Sequence, residues 1–400
     1  EIFIRFVKIS NYMLRNVLLL LLILAGIQAF SQSVEKVIVL KDKDTDVAIE
    51  DATVSILRTK QNLLSNANGV VTFELNGVSN IQIKHPSYLS MTIRSIILKE
   101  KSTVIYLTNN VNDLDEIIVS KKHPQKILES LIESSKKRLT IPGRLKVYSR
   151  EFFKLNGNYS YYNDGLMNFQ LLDKSKKINA VLLVEQNRSK SLITENVTND
   201  LLGYNLNDIM ENYYNFKYLN PLLVSQAKKE YDFVIKVYSK NKELNIINAV
   251  PNENANGLLD DFSIIYDPKR KIIIEVSSVV SPMVLSKMKE KTSNGSKNIN
   301  QSSFKTIYKF HNNNYYLLCS KEEIGFEKIE KNKSKDIEVR NYFLTTNFST
   351  QNYAYKDSEV YKDKTLYNKK DVILSDYWNE SGLTATDEEQ KIISSIEDQH

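Results

Sequence analysis

The sequence predicts a mainly β, or α+β, protein in which two β-rich parts are joined by a helix. Short β-type runs alternate with turn-forming residues from position 37 to position 107, and further runs follow from position 146 onward. One strong helical pattern, at residues 124–139, separates the two sets of runs. The 23 tyrosines and 15 phenylalanines of the 400-residue chain suit half-buried sheet surfaces.

Residues 1–31 have the pattern of an export signal with an upstream extension, in which Met13 is the natural start. Arg15 precedes a leucine-rich apolar run at residues 17–26, and small residues stand at the −3 and −1 positions before Gln32. A membrane anchor is the alternative, but the apolar run is much shorter than the ~20 residues that span a bilayer. We therefore expect cleavage, and a mature chain that lies in the periplasm, at the outer-membrane periphery or outside the cell.

Composition restricts the partners and the chemistry of the mature chain. The single cysteine, Cys319, argues against an intramolecular disulfide and against an N-terminal lipid anchor, which needs a cysteine directly after the signal. Its alternating surroundings predict a buried strand residue. The net charge of only +6 comes from scattered lysines, so nucleic acid is a poor partner, and no later apolar run is long enough for a transmembrane segment.

Residues 33–119 are predicted to form an antiparallel β-sandwich. The β-type runs lie at residues 37–40, 53–57, 70–75, 80–84, 91–97 and 103–107, with turn-forming segments at 41–46, 66–69, 76–77 and 85–87. Strands at this regular spacing, with turn residues between them, are typical of a sandwich. Asn68 and Gly69 give the sharpest turn signal, because both residue types tolerate positive φ.

This segment resembles the carboxypeptidase-like regulatory domain found at the N-terminus of many exported proteins of Bacteroidota. The resemblance rests on Asp44-Thr45, Ala48-Ile49, Ala52-Thr53-Val54, Ser65 to Gly69 followed by Phe73, Tyr88, and the closing Leu114-Asp-Glu-Ile-Ile-Val119. The chain departs from the family pattern in three places: no glycine in the first strand, no proline at Ala48, and Ser87 in place of a glycine. The resemblance implies a transthyretin-like seven-stranded sandwich, a structural or adhesive module without peptidase activity.

The second part is predicted to comprise a linker helix, a large sheet and a charged C-terminal segment. The helix, within residues 121–140, carries Ile127, Leu128, Leu131 and Ile132 on one stripe and ends in three basic residues. Residues 145–380 are predicted to form a large curved antiparallel sheet with a few helices, including a hairpin at 262–276. Residues 381–400 are predicted to be a charged helix or tail. This half resembles the body of uncharacterised exported Bacteroidota proteins with the same N-terminal domain, through residues 147–152, 159–162 and Trp378.

The sequence contains no recognisable catalytic, cofactor-binding or metal-binding motif. The four histidines do not form a zinc pattern, and there is neither a nucleophile elbow nor a phosphate loop. Asp42, Asp44 and Asp46 alternate as in a calcium loop but lack its glycine and later glutamate, so a solvated acidic turn is the favoured interpretation.

Five residues are candidates for ligand contact: Arg150, Glu151, Tyr213, Tyr214 and Tyr218. Arg150 and Glu151 form a charged pair inside an aromatic strand, and because adjacent strand residues face opposite sides, only one can point into a given site. We expect one of them to form a cross-strand ion pair. The tyrosines could stack on sugars or peptides, and burial between helix and sheet is the alternative.

These features predict a non-enzymatic envelope protein that binds an unknown protein, lipid or glycan and needs no cofactor. One alternative is a relative of the TonB-linked uptake machinery, whose barrel is too large for the roughly 280 residues after the sandwich. A lipid-carrier-like binding protein is a second alternative, based on the order of strands and loops alone. A hydrolase is the third, and it would require a pocket with convergent Asp, Glu or Tyr side chains.

Overall fold

The structure is a computed structural model, which describes residues 34–99, 101–109, 116–173, 178–191, 206, 208–256, 259–281, 289–292, 295–330, 333–363, 365–366, 369, 372 and 382–397. The predicted export signal and Trp378 lie outside the described residues. Within them the chain forms three β-sheets and a few helices, as predicted. None of the described helices is both long and apolar enough to cross a membrane.

The N-terminal part is a seven-stranded sandwich of two sheets. Its strands are β1 (Val34–Asp42), β2 (Thr53–Ile56), β3 (Gln61–Leu64), β4 (Val70–Leu75), β5 (Asn80–His85), β6 (Tyr88–Arg94) and β7 (Thr103–Leu107). One sheet has the order β4-β1-β7 and the other β3-β2-β5-β6. Alternate residues point between the sheets, so that Leu40, Val54, Ile81 and Ile83 are fully buried and form the core.

Two features of the sandwich differ from the prediction. Strand β3 was not predicted, because Gln61 and Asn62 interrupt the apolar pattern, yet it pairs with β2 and buries Leu63 and Leu64. The sandwich is also not wholly antiparallel, since β7 pairs with β1 in parallel. Strand β7 enters this sheet from β6, which belongs to the other sheet, and the crossover between the sheets gives it the direction of β1.

The predicted Asn68-Gly69 turn is present and packs against β1. Gly69 has a φ of +71°, the left-handed region that glycine adopts without strain. The Leu40 amide donates a hydrogen bond to the Gly69 carbonyl at 2.8 Å. A Cβ on residue 69 would lie 2.3 Å from the Leu40 carbonyl oxygen, so the turn has no room for a side chain.

A helix leads from the sandwich into the large sheet. The elements are α1 (Pro124–Arg138), β8 (Gly143–Leu155), β9 (Asn158–Asp173), β10 (Asn179–Ser191), α2 (Ile209–Tyr214), α3 (Asn220–Leu223), α4 (Ala227–Glu230), β11 (Tyr231–Val237), β12 (Asn245–Pro251), β13 (Asp260–Asp267), β14 (Ile272–Val280), β15 (Lys289–Thr292), β16 (Gly295–His311), β17 (Asn314–Glu330), β18 (Lys333–Ser349) and α5 (Asp387–Glu397). Three short 3-10 turns lie at Ser95–Ile97, Lys217–Leu219 and Asp357–Glu359. The predicted hairpin corresponds to β13 and β14.

The large sheet has the strand order β10-β9-β8-β18-β17-β16-β14-β13-β12-β11, with β15 paired to β16 alone. Every neighbouring pair is antiparallel. Strands β8 and β18, the first and last of the sheet in chain order, lie side by side, with Ser149 opposite Phe343. This pairing joins the two ends of the second part of the chain.

The sheet has two differently covered faces, because alternate strand residues point to opposite sides. On one face, here the helix face, Val147, Phe169 and Phe343 pack under α1 and residues 206–230. Helix α1 lies against β11 and β14 as its apolar stripe predicts, with Leu128 fully buried. The other face, here the sandwich face, contacts the N-terminal sandwich and α5.

The sandwich and the large sheet share an interface. Leu64 of β3 packs against Ile307, Cys319 and Leu344 on the sandwich face, which confirms the predicted burial of Cys319. Asp51 forms ion pairs with Lys305 at 3.0 Å and Lys321 at 2.5 Å. Apolar packing and buried ion pairs therefore hold the two β-rich parts together.

The segments that flank the large sheet also pack on it. Ile118 donates its amide hydrogen bond to the Ile235 carbonyl at 2.9 Å, so the described end of the 114–119 motif lies against β11. Helix α5 lies on the sandwich face, where Ile393 packs against Phe152 and Tyr162. The chain thus enters and leaves the large sheet through ordered contacts.

Candidate ligand-binding site

A row of polar residues crosses the helix face at the centre of the large sheet. Glu151 of β8 is opposite Asn341 of β18, and Asn341 is opposite Glu322 of β17. Residues directly opposite each other on neighbouring strands share a face and lie close together. The next row on the same face is apolar and consists of Phe153, Val339 and Ile324.

The two glutamates in this row are held in a setting that favours their protonated forms. Burial, and to a smaller extent the nearby charge of Glu322, raise the pKa of Glu151 to about 7. Burial also raises the pKa of Glu322, while the neighbouring Asn341 amide opposes that change. No cation of the described residues forms an ion pair with either carboxylate. Glu151 therefore takes up and releases its proton near neutral pH.

A cleft of about 470 Å³ opens beside the row. Strand residues form its base: Asp260, Phe262, Ser278, Ser302, Phe304 and Glu322. The segment 209–221 forms its wall, through Ile209, Asn212, Tyr213, Lys217, Tyr218 and Pro221. The cleft thus combines carboxyl groups, hydroxyl groups and aromatic rings in one space.

The aromatic wall is fixed by packing and hydrogen bonds. The Tyr213 ring stacks on Phe304, with centroids 6.2 Å apart and planes 9° apart, and its hydroxyl is hydrogen-bonded to Ser320. The centroids of the Tyr218 and Phe304 rings lie 4.8 Å apart. The Tyr218 hydroxyl is hydrogen-bonded to the Tyr308 hydroxyl at 2.9 Å. Each ring is thus held from two sides.

A sharp turn brings the second tyrosine back to the cleft. Phe216 adopts a left-handed conformation with a φ of +53° between α2 and the Lys217–Leu219 turn. Its buried ring lies 4.9 Å from Tyr308, which compensates for the unfavourable backbone conformation.

A third carboxyl group stands at the other end of the cleft. Asp260 accepts a hydrogen bond from the Ser278 hydroxyl at 3.0 Å. Burial raises the pKa of Asp260, the bond from Ser278 opposes the change, and neighbouring Asp261 adds to it. Lys217, the lysine among the described residues of the wall, pairs with Glu211 at 3.2 Å. The cleft therefore offers hydrogen-bond acceptors more than cations.

The structure separates the predicted pair Arg150 and Glu151. Glu151 lies on the helix face, whereas Arg150 lies on the sandwich face, where it contacts Asp164 at 3.3 Å and Glu389 of α5 at 3.5 Å. Asp164 also pairs with Arg188 at 3.0 Å. Arg150, Asp164 and Arg188 are buried, and they hold β8, β9 and β10 together.

The three predicted tyrosines also have different positions. Tyr213 and Tyr218 line the cleft, whereas Tyr214 is buried in the core beneath the helices. Tyr213 and Tyr218 both pack against the sheet and form part of the cleft wall. Ligand contact by any of the five candidates stays a prediction.

Sequence reasoning missed Glu322, Asn341 and Asp260. Glu322 lies in the same strand alternation as the apolar Ile324 and Phe326, and a glutamate at such a position signals a polar site on an apolar face. Asn341 and Asp260 gave no comparable signal, because their roles depend on which strands become neighbours.

The acidic turn at residues 42–46 is structured differently from the prediction. Asp42 is only 3% exposed, because its carboxylate accepts hydrogen bonds from the amides of Asp44 and Thr45, both at 2.8 Å. Asp46 pairs with Lys41 at 2.7 Å. The expectation of a fully solvated turn is therefore wrong at Asp42, which stabilises the turn. The described residues contain no cluster of three or more His, Cys, Asp or Glu side chains suited to a metal ion.

Comparisons with known proteins give no family. No protein-family model matches the chain, and no curated protein has a significantly similar sequence. A DUF1329 family protein from Desulfovibrio piger is similar in structure at 6% identity, over 57% of this chain and 93% of that one, with a TM-score of 0.26. A Bacteroides fragilis protein of unknown function, described as membrane-associated, is 8% identical over 79% of this chain and 98% of that one, with a TM-score of 0.15. The resemblance to the carboxypeptidase-like regulatory domain stays a prediction.

Proposed function

We propose that the protein is a non-enzymatic binding protein of the cell envelope that holds a hydroxyl-rich ligand in the helix-face cleft. One observation carries the proposal: Tyr218 and Phe304 form an aromatic wall beside the carboxyl groups of Glu322 and Asp260. Aromatic rings pack on the apolar faces of sugar rings, while carboxyl oxygens accept hydrogen bonds from sugar hydroxyls. The predicted export signal supports an envelope location.

A glycan suits this site better than a lipid. The apolar part of the helix face is already covered by α1 and residues 206–230, whose side chains form one core with the sheet. A lipid chain would have to displace this packing, which stabilises the fold. The space that remains beside Glu322 is mixed in polarity, as sites for polar ligands are.

Calorimetric titration of the mature chain with neutral oligosaccharides tests the proposal, with maltohexaose, cellohexaose and chitohexaose as probes. We expect one of them to bind, and Glu322→Gln and Tyr218→Ala to weaken its binding by about tenfold each. Glu253→Gln, at an exposed loop position, is the matched control and should bind like the wild type. Absence of binding, or equal binding by all four proteins, would contradict the proposal.

A hydrolase is the second candidate, because Glu151 and Glu322 lie two strands apart on one face of the sheet and no cation of the described residues forms an ion pair with either. A carboxyl group whose pKa lies near 7 can act as a general acid, and paired carboxyl groups cleave glycosides in many enzymes. Turnover of 4-nitrophenyl glycosides that falls about 100-fold in both Glu151→Gln and Glu322→Gln, with binding retained, would replace the binding role with a catalytic one.

A further inference from the structure

A second cleft, of about 740 Å³, lies between the sandwich and the large sheet. Its basic lining residues are Lys60, Arg144, Lys309 and His311, and no Asp or Glu occurs among the described residues that line it. Most of its other lining residues are amides and hydroxyls. It shares no lining residue with the helix-face cleft. This second space is called the basic cleft below.

Lys309 is the central cation of the basic cleft. Its ammonium group donates hydrogen bonds to Asn62 Oδ1 at 2.6 Å and to the Ser55 hydroxyl at 2.7 Å. Both acceptors are neutral, and no carboxylate of the described residues forms an ion pair with Lys309. An ammonium group has three donors, so one donor and the whole positive charge remain for another partner.

A second basic group, Lys84, lies near Lys309 and adds to this charge. Burial, and to a smaller extent the positive charge of Lys84, lower the pKa of Lys309 to about 8. Burial also lowers the pKa of His311, as do Lys309 and Lys84. Burial is the main cause of both shifts, and the positive charge of Lys84 contributes to each, so a bound anion would reduce the repulsion between Lys84 and Lys309.

Arg144 adds a planar donor group at the cleft. Its guanidinium lies over the Tyr353 ring, 3.8 Å from the centroid, and no ion pair with a described carboxylate holds it. Stacking on one ring fixes the guanidinium plane, which leaves its N–H groups at the edge for an anion. Such preorganised arginines bind phosphate and carboxylate groups well.

The remaining walls of the basic cleft suit a sugar. Tyr316 and Phe348 also line the cleft, and their rings stack on each other with centroids 4.2 Å apart and planes 4° apart. The amides of Asn62, Gln82 and Asn347 also line it. The buried Gln82 Oε1 has no hydrogen-bond partner and could accept one from a ligand hydroxyl.

We propose that the basic cleft binds an anionic saccharide, a sugar that carries a phosphate or a carboxylate group. Lys309 and Arg144 would hold the anionic group, and the amides and aromatic rings would contact the sugar. Because the two clefts share no residue, this proposal is independent of the function proposed for the helix-face cleft.

Calorimetric titration of the full mature chain with four probes tests the proposal: glucose 6-phosphate, glucuronate, glucose and inorganic phosphate. We expect glucose 6-phosphate or glucuronate to bind about tenfold more tightly than glucose and inorganic phosphate. The first two probes distinguish a phosphate from a carboxylate as the anionic group. Binding should weaken as the salt concentration rises, because the interaction is between charges.

Three variants assign the binding to this cleft. Lys309→Gln and Arg144→Gln should each weaken binding by about tenfold, while Lys43→Gln, at an exposed turn of the sandwich, should not. Thermal melting shows whether each variant folds, and Arg144→Gln provides the test if Lys309→Gln does not fold. Glu322→Gln should bind the probe normally. The proposal is overturned if neither anionic sugar binds, if inorganic phosphate binds as tightly as the sugars, or if the cleft variants bind like the wild type.

Discussion

Glu151 and Glu322 lie on the same face of the large sheet, separated only by the strand that carries Asn341. Both are partly accessible from the helix face, and neither pairs with a cation of the described residues. The charge of Glu322 adds to burial in disfavouring the ionisation of Glu151. The fold thus makes ionisation of a carboxyl group unfavourable at the site that we propose for ligand binding. Such shifted carboxyl groups are typical of functional positions.

The pKa of Glu151 predicts a pH-dependent stability. This carboxyl group has a raised pKa of about 7 in the folded protein and an ordinary value of 4.5 when unfolded. The folded state therefore binds the proton more tightly, and the free energy of unfolding falls as the pH rises from 4.5 to 7. We expect Glu151→Gln to unfold at a higher urea concentration than the wild type at about pH 8, and at a similar one at about pH 5.

Exposed Glu253→Gln is the control and should change the urea midpoint little at either pH. A Glu151→Gln variant whose midpoint differs from the wild type by the same amount at both pH values would show that Glu151 ionises as an ordinary glutamate.

The buried arginines on the sandwich face predict a large cost for the loss of their counter-ion. Asp164 is fully buried and pairs with Arg188 at 3.0 Å and Arg150 at 3.3 Å. Asp164→Asn keeps the shape but removes the carboxylate shared by two buried cations, of which Arg150 keeps Glu389, and this should lower the free energy of unfolding by about 3–5 kcal/mol. Urea denaturation measures this loss.

The matched control is Glu388→Gln, which removes an exposed partner of Lys154 at 3.6 Å. Exposed pairs contribute at most about 1 kcal/mol. Similar losses in the two variants would mean that the buried network does not stabilise the sheet.

The ion pairs of Asp51 predict weaker attachment of the sandwich when they are removed. Burial opposes ionisation of Asp51, but Lys321 and Lys305 outweigh it and lower its pKa below 3.8. This contribution to stability is present above pH 3.8 and is lost as the pH falls through the lowered pKa. Asp51→Asn should therefore make the link between the sandwich and α1 more sensitive to protease at neutral pH.

Limited proteolysis followed by mass spectrometry measures the cleavage rate. Asp46→Asn, which removes the partner of Lys41 in an exposed turn, should leave that rate unchanged. Equal rates for the wild type and Asp51→Asn would show that the ion pairs of Asp51 are not needed to hold the sandwich in place.

Substitutions at two glycines with similar backbone angles distinguish the effect of backbone strain from the effect of steric crowding. Gly69 has a φ of +71° and Gly157 a φ of +78°, so alanine at either position costs about 1 kcal/mol of backbone strain. A Cβ at residue 69 would also lie 2.3 Å from the Leu40 carbonyl oxygen, whereas none of the atoms around residue 157 comes within 4 Å. Gly69→Ala should thus lower the urea midpoint clearly more than Gly157→Ala, and equal effects would contradict the close approach.

Local patterns in the sequence predicted the elements, and long-range pairings determined the site. The helix α1 was predicted to within a residue, because its apolar stripe and basic end are local signals. Strand β3 was missed because the polar Asn62 interrupts its apolar pattern. Asn62 faces the large sheet, where it accepts a hydrogen bond from Lys309. Glu322 joins Glu151 only through the order of strands β17, β18 and β8, which no local pattern determines.

The pairing of β8 with β18 also has a consequence for how the protein must be made. Strand β8 leaves the ribosome long before β18, which is its neighbour on one side in the folded sheet. Until β18 is synthesised, that edge of β8 therefore lacks its partner strand. Unpaired edges of long strands attract other chains and lead to aggregation. A chain cut before Lys333 would keep that edge open permanently, so C-terminal truncation should produce aggregates, and the nascent protein needs protection until its last strand is in place.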